Sequence, residues 1–327
     1  MVALTIASQG KPTISLDFTA AHPKDVTVKQ LKIAVQAKFP KLVFNRQRIT
    51  LPGVASKPIA LTDEDKTLAD YGVGEGAKLR LKDLGQQVGY RTLYLWEYAG
   101  PIVLNPLLLY YSHAIWGQYD ASPLQLTVRN LIVIHFIKRF LESAFVHDFS
   151  RATVPLSFVY RNCAYYWGIC GGLIGLTLYR PAYAQQALEG TLLGDSRWIT
   201  FWTIFELSAE LLNLNAHIHL RSLRQPAGQP RLFPTGLGFG TAVCANYWFE
   251  ILGVLALVAM TGFDIGSGSY SGSLEGSLLM GRLAVIYLCI GTYFMKIWAD
   301  GKYARYKREF DNKVFPGKRY KLFPPLY

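Results

Sequence analysis

Charge is scarce in this chain. Only 17% of its 327 residues are Asp, Glu, Lys or Arg, against 51% hydrophobic and 14% aromatic, and the mean hydropathy is +0.17. That balance is too apolar for an ordinary soluble protein and predicts several membrane spans. Cysteine is nearly missing too. Cys163, Cys170, Cys244 and Cys289 all lie in apolar stretches without metal-ligand spacing, which excludes a disulfide framework and reads as buried thiols. His217 and His219 face differently on a helix, so no metal site is expected there. No P-loop, no G-x-G-x-x-G between strand and helix and no G-x-S-x-G occurs. The N-terminal MVALTIASQGKPTISLDF lacks the apolar run of a signal peptide.

Acidic residues are the minority, 22 against 34 basic, for a net charge of +12. The basic residues cluster in connecting segments and near the C-terminus. That suits a cytoplasmic membrane surface or a phosphate-bearing ligand, and not a nucleic-acid-binding stripe.

Residues 1–83 differ from the rest of the chain. VALTIAS and TISLDFT alternate as strands do, around a Gly-Lys-Pro turn. TVKQLKIAVQAKFP reads as a helix with Thr27 as its N-cap, Leu31, Ala34 and Val35 facing inward, and Pro40 ending it. RQRITL and AKLRLKDL are further strand-like pieces, with a polar turn and a short helical piece in LTDEDKTLADYGV between them. This order resembles the β-grasp fold of ubiquitin. Residues 84–91 read as a linker.

From Thr92 on, apolar runs dominate. Six candidate spans fall at about 92–112, 126–146, 156–178, 198–216, 240–261 and 279–298, within a 92–300 membrane domain followed by a basic 301–327 tail. Arg151, Arg221, Arg224, Arg231 and the tail basics gather on one side. The Gly262–Gly276 loop has no Lys or Arg and reads as a flexible Gly/Ser connector on the other side. By the positive-inside rule both termini then face the cytosol.

The spans carry polar stripes. In TAVCANYWFEILGVLALVAMT, Asn246, Tyr247 and Glu250 are spaced to share one helix side. A carboxylate at membrane depth costs about 2.5–3.5 kcal/mol even on lenient insertion scales. Glu206, Glu210, Asn213 and His217 repeat the pattern in the fourth span; His135, Arg139 and Glu142 share a face in the second, with Lys138 beside them. Glu97 stands in LWEYAGP, and Lys296, Asp300, Lys302 and Tyr306 close the last span. Each stripe alone reads either as a buried site or as helix–helix glue. Together they point to a polar cavity suited to a phosphate-rich ligand.

LWEYAGP, HFIKRFLESAFVHDFS, NCAYYWG, NAHIHLRSLR, ANYWFE and GKYARYKREFDNKVFP carry a family likeness. The chain resembles the very-long-chain trans-2-enoyl-CoA reductases of the endoplasmic reticulum, in the steroid 5α-reductase superfamily, an architecture that includes an N-terminal ubiquitin-like domain. The resemblance implies a multi-pass α-helical membrane protein with an α+β β-grasp domain. Its expected reaction passes hydride from NADPH to C3 of a trans-2-enoyl-CoA and a proton to C2, the last step of fatty-acid elongation. It implies Tyr247 as proton donor and Glu97 as the group that orients it. It also implies Asn213, His217, Arg224, Asn246, Glu250, Lys302 and Tyr306 as the cofactor site. Lys138, Arg139 and the basic tail are candidates for CoA by charge alone. The expected partners are the acyl-CoA substrate, membrane lipid and other fatty-acid elongation enzymes. Phe136 in HFIKR replaces a tyrosine that steroid reductases use, which argues against 3-oxo-steroid reduction. A sterol or polyprenol reductase, or a membrane-anchored ubiquitin-like scaffold, are the competing expectations.

Overall fold

The computed structural model describes residues 1–8, 10–53, 58–149, 152–225, 229, 232–262, 275–311, 314–315 and 319–327, with backbone alone for 275–281. The Gly/Ser connector at 263–274, and Arg151, Arg231, Lys313 and Lys318 as orientation signals, lie outside the described residues. The chain divides into two units. One is Met1–Tyr90 with Arg151–Phe158, and the other is Arg91–Ser150 with Val159–Tyr327.

The first unit holds β1 (Val2–Ser8), β2 (Lys11–Phe18), α1 (Val28–Lys38), β3 (Gln47–Leu51), β4 (Ile59–Ala60) and β5 (Lys78–Asp83). The sheet order is β2-β1-β5-β3-β4. The central pair β1–β5 is parallel, and the outer pairs are antiparallel. Alternation places Val2, Leu4 and Ile6 of β1 in the core. The start of α1 is fixed locally. Gln30 N–H donates to the Thr27 hydroxyl at 3.2 Å, and Thr27 N–H donates to Gln30 Oε1 at 2.8 Å. Val28, Leu31 and Val35 pack inward, while Ala34 is half-buried. Lys32 is buried alongside them because its ammonium reaches Glu64 Oε1 at 2.7 Å.

Leu31 is fully buried, so Leu31→Ala should cost this unit about 2–5 kcal/mol. Chemical or thermal unfolding followed in the full chain would measure the loss.

The same unit contains a feature that local sequence pattern does not reveal. The 84–91 stretch, expected to be a linker, carries β6 (Gln87–Gly89), which pairs antiparallel with β7 (Thr153–Pro155). Three-residue strands built from Gln, Val, Gly, Thr and Pro, with their partners far apart in sequence, leave no periodic signal.

The second unit is helical. It comprises α2 (Tyr90–Tyr110, whose first residue belongs to the other unit), α3 (Ser112–Trp116), α4 (Pro123–Leu141), α5 (Ser157–Cys163, whose first two residues belong to the other unit), α6 (Ile174–Leu178), α7 (Gln185–Leu188), α8 (Ser196–Ser222), α9 (Ala245–Met260) and α10 (Glu275–Glu309). A π-helical turn, Glu142–Val146, extends α4, and a π-helical run, Ala164–Leu173, joins α5 to α6. Each of the six apolar segments thus contains a helical run, although the fifth, 240–261, is helical only from Ala245.

By length and hydropathy alone, most of these runs do not qualify as membrane spans. Among the described residues one helix, Arg282–Glu309, is long and apolar enough to cross a membrane, and Ala245–Met260 is a shorter apolar helix. The physical reason is visible in α8, which buries Glu206, Glu210, Asn213 and His217 while Ile204, Leu207, Leu211 and Ile218 stand exposed. An inward polar stripe lowers the mean hydropathy of a helix whose outer face is apolar.

Close approaches hold the bundle. A Cβ on Gly100 of α2 would overlap the Trp167 ring, and Trp167 is pinned there by its Nε1–H donating to the Trp96 carbonyl at 2.8 Å. A Cβ on Gly253 of α9 would stand 3.2 Å from Glu210 Oε1 of α8. Beyond α10 the chain returns to α9. Val243 N–H donates to the Tyr320 carbonyl at 2.8 Å, and Tyr320 N–H donates to the Thr241 carbonyl at 3.0 Å.

Candidate active site

The stripes of α4, α8 and α9 meet in one buried network. Glu210 Oε1 lies 2.7 Å from His135 Nδ1, and Lys138 Nζ donates to Glu210 Oε2 at 2.7 Å and to Asn213 Oδ1 at 2.5 Å. Asn213 Nδ2 donates to the Asn246 carbonyl at 2.7 Å and reaches Glu250 Oε2 at 3.5 Å. One turn along, Glu142 Oε2 accepts from Arg139 Nη1 at 2.7 Å and lies 3.0 Å from His217 Nδ1. Arg139 Nη2 donates to the Tyr98 hydroxyl at 3.1 Å and stands 3.8 Å from Glu250 Oε2. Buried charges must be paired in this way to survive outside water.

Lys138 and Arg139, assigned to CoA by charge, are therefore largely buried and engaged by protein carboxylates. They present no free charge at a surface. The i, i+3 and i, i+4 spacing set each stripe, but the cross-helix partners, more than 70 residues away, carry no sequence signal.

Asn246 is different. It is buried, and its Oδ1 has no hydrogen-bond partner. An acceptor left open in this way calls for an N–H or O–H donor from a ligand.

Tyr247, half-buried, sits on a second cluster. Lys302 Nζ of α10 lies over its ring, 4.4 Å from the centroid, and the Trp298 ring is 6.0 Å away. Tyr306, one turn beyond Lys302, is buried among Phe233, Phe310 and Phe315. Both residues are helical because α10 runs past the expected end of the last span. Lys321 Nζ and the Tyr327 hydroxyl both donate to Asp300 Oδ1, at 2.8 and 2.6 Å, and tie the returning segment to α10. These bonds raise Lys321 above the ordinary lysine value.

Glu97 is buried on α2, and Asn162 Nδ2 of α5 donates to its Oε2 at 2.7 Å. Among the described residues no hydrogen bond joins Glu97 to Tyr247. Glu97 instead neighbours Tyr98, the partner of Arg139. Asn162 and Tyr98 are residues of this site that the sequence reading did not assign a role, although both lie inside quoted motifs, NCAYYWG and LWEYAGP. Arg224 is exposed and donates through Nη2 to the Asp148 carbonyl.

Two histidine–glutamate groups, Glu142–His147–His217 and His135–Glu206–Glu210, are close enough to hold a cation. In each, the histidine on the network already has its Nδ1 against a carboxylate oxygen at 2.7–3.0 Å. Burial, and next the charge of Arg139, press His147 down to about 3, so its imidazole is neutral.

Beside the network lies a small apolar cleft lined by Val128, Ile132, His135, Phe136 and Leu257. Phe136 lines it, packed against Tyr98 and Tyr166 with ring centroids 6.0 and 5.8 Å away.

Sequence comparison places the chain in a family. The very-long-chain enoyl-CoA reductase of Dictyostelium discoideum is 32% identical over 332 residues, covering 100% of both chains. The chain belongs to the very-long-chain enoyl-CoA reductase family. An enoyl reductase of Schizosaccharomyces pombe is 32% identical over 325 residues, 99% of each chain. A trans-2,3-enoyl-CoA reductase-like protein of Homo sapiens is 27% identical over 258 residues, 76% of this chain and 64% of its own. Residues 152–264 also match the family described as 3-oxo-5-alpha-steroid 4-dehydrogenase. The family is a membrane superfamily, and this member is membrane-associated.

Proposed function

We propose that this protein reduces the C2=C3 double bond of very-long-chain trans-2-enoyl-CoA with NADPH, as the last step of fatty-acid elongation. The observation that carries the reading is the meeting of Asn246, Glu250 and Asn213 beside Tyr247 and Lys302, above an apolar cleft. The full-length likeness to named enoyl-CoA reductases supports it.

The residues present fit a dinucleotide. The open Asn246 Oδ1 is an acceptor for a carboxamide N–H. Glu250 Oε2 offers an acceptor for hydroxyl or amide groups, Asn213 holds Glu250 and the Asn246 carbonyl in place, and the His217 ring is held by Glu142. Arg224 and Tyr306 complete the cofactor site in this reading, and Arg224 lies exposed where a phosphate could replace its Asp148 carbonyl contact.

A bound reduced dinucleotide would supply the hydride that adds to C3. Negative charge then builds on the thioester oxygen and C2. Tyr247 gives its phenolic proton to C2, and the Lys302 ammonium over the ring stabilises the phenolate left behind. Glu97 acts indirectly. Its bond from Asn162 fixes α2 against α5, and thereby Tyr98 beneath Arg139. The exposed basic residues Lys307 and Arg308 take the CoA phosphates in place of the engaged Lys138 and Arg139.

The membrane reading extends to six spans in the endoplasmic reticulum with both termini cytosolic. The exposed apolar face of α8 opposite its buried polar stripe supports lipid contact. The mixed β2-β1-β5-β3-β4 sheet with α1 after β2 supports a ubiquitin-like β-grasp unit, a candidate dock for other elongation enzymes.

Purified protein in detergent, given NADPH and long-chain trans-2-enoyl-CoA, should oxidise NADPH and yield saturated acyl-CoA. A 3-oxo-steroid or polyprenol should not replace the substrate. Turnover of the latter with none of the former would favour the sterol or polyprenol reading instead. Folded protein inert toward all of them would leave the scaffold reading.

A further inference from the structure

The residues that follow α10 double back on the part of the molecule that carries Tyr247. Tyr320 pairs in parallel with Ala242, just before α9. Val243 N–H donates to the Tyr320 carbonyl at 2.8 Å, and Cys244 N–H donates to the Lys321 carbonyl at 3.2 Å. Cys244 is the N-cap of α9, and its own carbonyl accepts from Tyr247 N–H at 3.0 Å. The first turn of α9 is therefore hung on the backbone of residues 320–321. Arg319 adds a second tie, its Nη1 donating to the Phe239 carbonyl at 2.8 Å.

The side chains of the same segment grip α10 close to Lys302. Asp300 Oδ1 accepts from Lys321 Nζ at 2.8 Å and from the Tyr327 hydroxyl at 2.6 Å, while Lys296 Nζ donates to Oδ2 at 3.1 Å. Both ammonium groups also lie over the Tyr327 ring, 4.7 and 4.6 Å from its centroid. A lone exposed ion pair contributes little, but several donors gathered on one carboxylate form a network with a fixed geometry. Leu322 is fully buried beside it, in one apolar cluster with Val243, Cys244 and Ala299. One segment thus fastens the helix that bears the Tyr247 phenol to the helix that bears the Lys302 ammonium. The contact between those two groups depends on the separation of α9 and α10, because the attraction of a cation for a ring or a phenolate weakens with distance.

We propose that Asp300, Lys321 and Tyr327 are positioning residues for the reduction: through the 319–327 segment they hold the Lys302 ammonium over the Tyr247 ring. This rests on the reading of Tyr247 as proton donor and Lys302 as its support.

The test is steady-state kinetics of the full chain in detergent, with NADPH and a long-chain trans-2-enoyl-CoA, and a melting curve on each sample. Asp300→Asn keeps the volume and loses the charge that gathers Lys296 and Lys321. Its kcat should fall about tenfold or more, the scale on which a small misplacement of a catalytic group is felt, with the KM for enoyl-CoA nearly unchanged. Lys321→Met should lose similarly, and Lys321→Arg should recover most of the rate. Tyr327→Phe removes a single hydrogen bond and should lose less; it carries the test if Asp300→Asn does not fold. The deciding measurement repeats each substitution in a Lys302→Met background. A residue that works through Lys302 has nothing further to remove there, so kcat should not drop again. Equal losses in both backgrounds, or wild-type kcat in the folded single variants, would overturn the proposal and leave the segment a support for stability alone. Lys302→Met with wild-type kcat would instead remove the reading on which the proposal rests, and wild-type protein that turns over no enoyl-CoA would sink the reductase reading itself.

Discussion

A Tyr247→Phe protein is expected to fold, to bind NADPH and to lose about 100-fold or more in turnover of trans-2-enoyl-CoA. A positioned general acid contributes roughly 10²–10⁴ in rate, and nothing else on the same face of α9 can replace it. Asn246 has only an amide to offer, and Glu250 already faces Asn213 and Arg139. The phenylalanine keeps the ring under the Lys302 ammonium and beside Trp298, so packing is preserved. The loss should therefore fall on kcat, with the KM for NADPH nearly unchanged. NADPH oxidation under saturating enoyl-CoA, with a melting curve on the same sample, separates the two effects. A variant that folds and keeps wild-type kcat would remove Tyr247 from the chemistry and leave Asn246 and Glu250 as packing groups.

The outcome also bears on how far this site is legible from sequence. Short-range pattern carries much of it. The Thr27–Gln30 capping box, the alternation of β1 and the buried stripe Glu206–Glu210–Asn213–His217 all arise from neighbours within one or two helical turns. The positions of the six long helical runs come from apolar segment length. What local pattern cannot carry is which stripe meets which. His135 and Lys138 converge on Glu210, and Arg139 is drawn into a carboxylate hub, so two cations judged free by charge counting are spent inside the fold. The extension of α10 through Lys302 and Tyr306 is hidden as well. Its last turns are basic, and the tie from Lys321 of the returning segment to Asp300 is a long-range contact that local pattern does not show. The three-residue pair β6–β7 depends on a partner more than 60 residues away.

The largest stability effect is expected at that hub. Glu142 is 2% exposed, with Arg139 Nη1 at 2.7 Å, His217 Nδ1 at 3.0 Å and Lys138 Nζ at 3.4 Å. Glu142→Ala removes the carboxylate and leaves Arg139 with the more distant Glu250, 3.8 Å away, and a hydroxyl partner in Tyr98. Removing one partner of a buried ion pair costs about 3–5 kcal/mol because the other charge is left without compensation. Glu142→Gln retains the volume and one acceptor, so its loss should be smaller. Lys138 is cushioned, since Glu210 holds it at 2.7 Å; the deficit therefore concentrates on Arg139 and on the orientation of the His217 ring. That predicts a second symptom. His217 freed from Glu142 should weaken dinucleotide binding even in the fraction that folds, whereas a purely structural hub would lower the melting point and leave the KM for NADPH untouched. Measuring both quantities in Glu142→Ala and Glu142→Gln, in the same detergent, tells whether this buried ion cluster only holds the helices or also holds the cofactor.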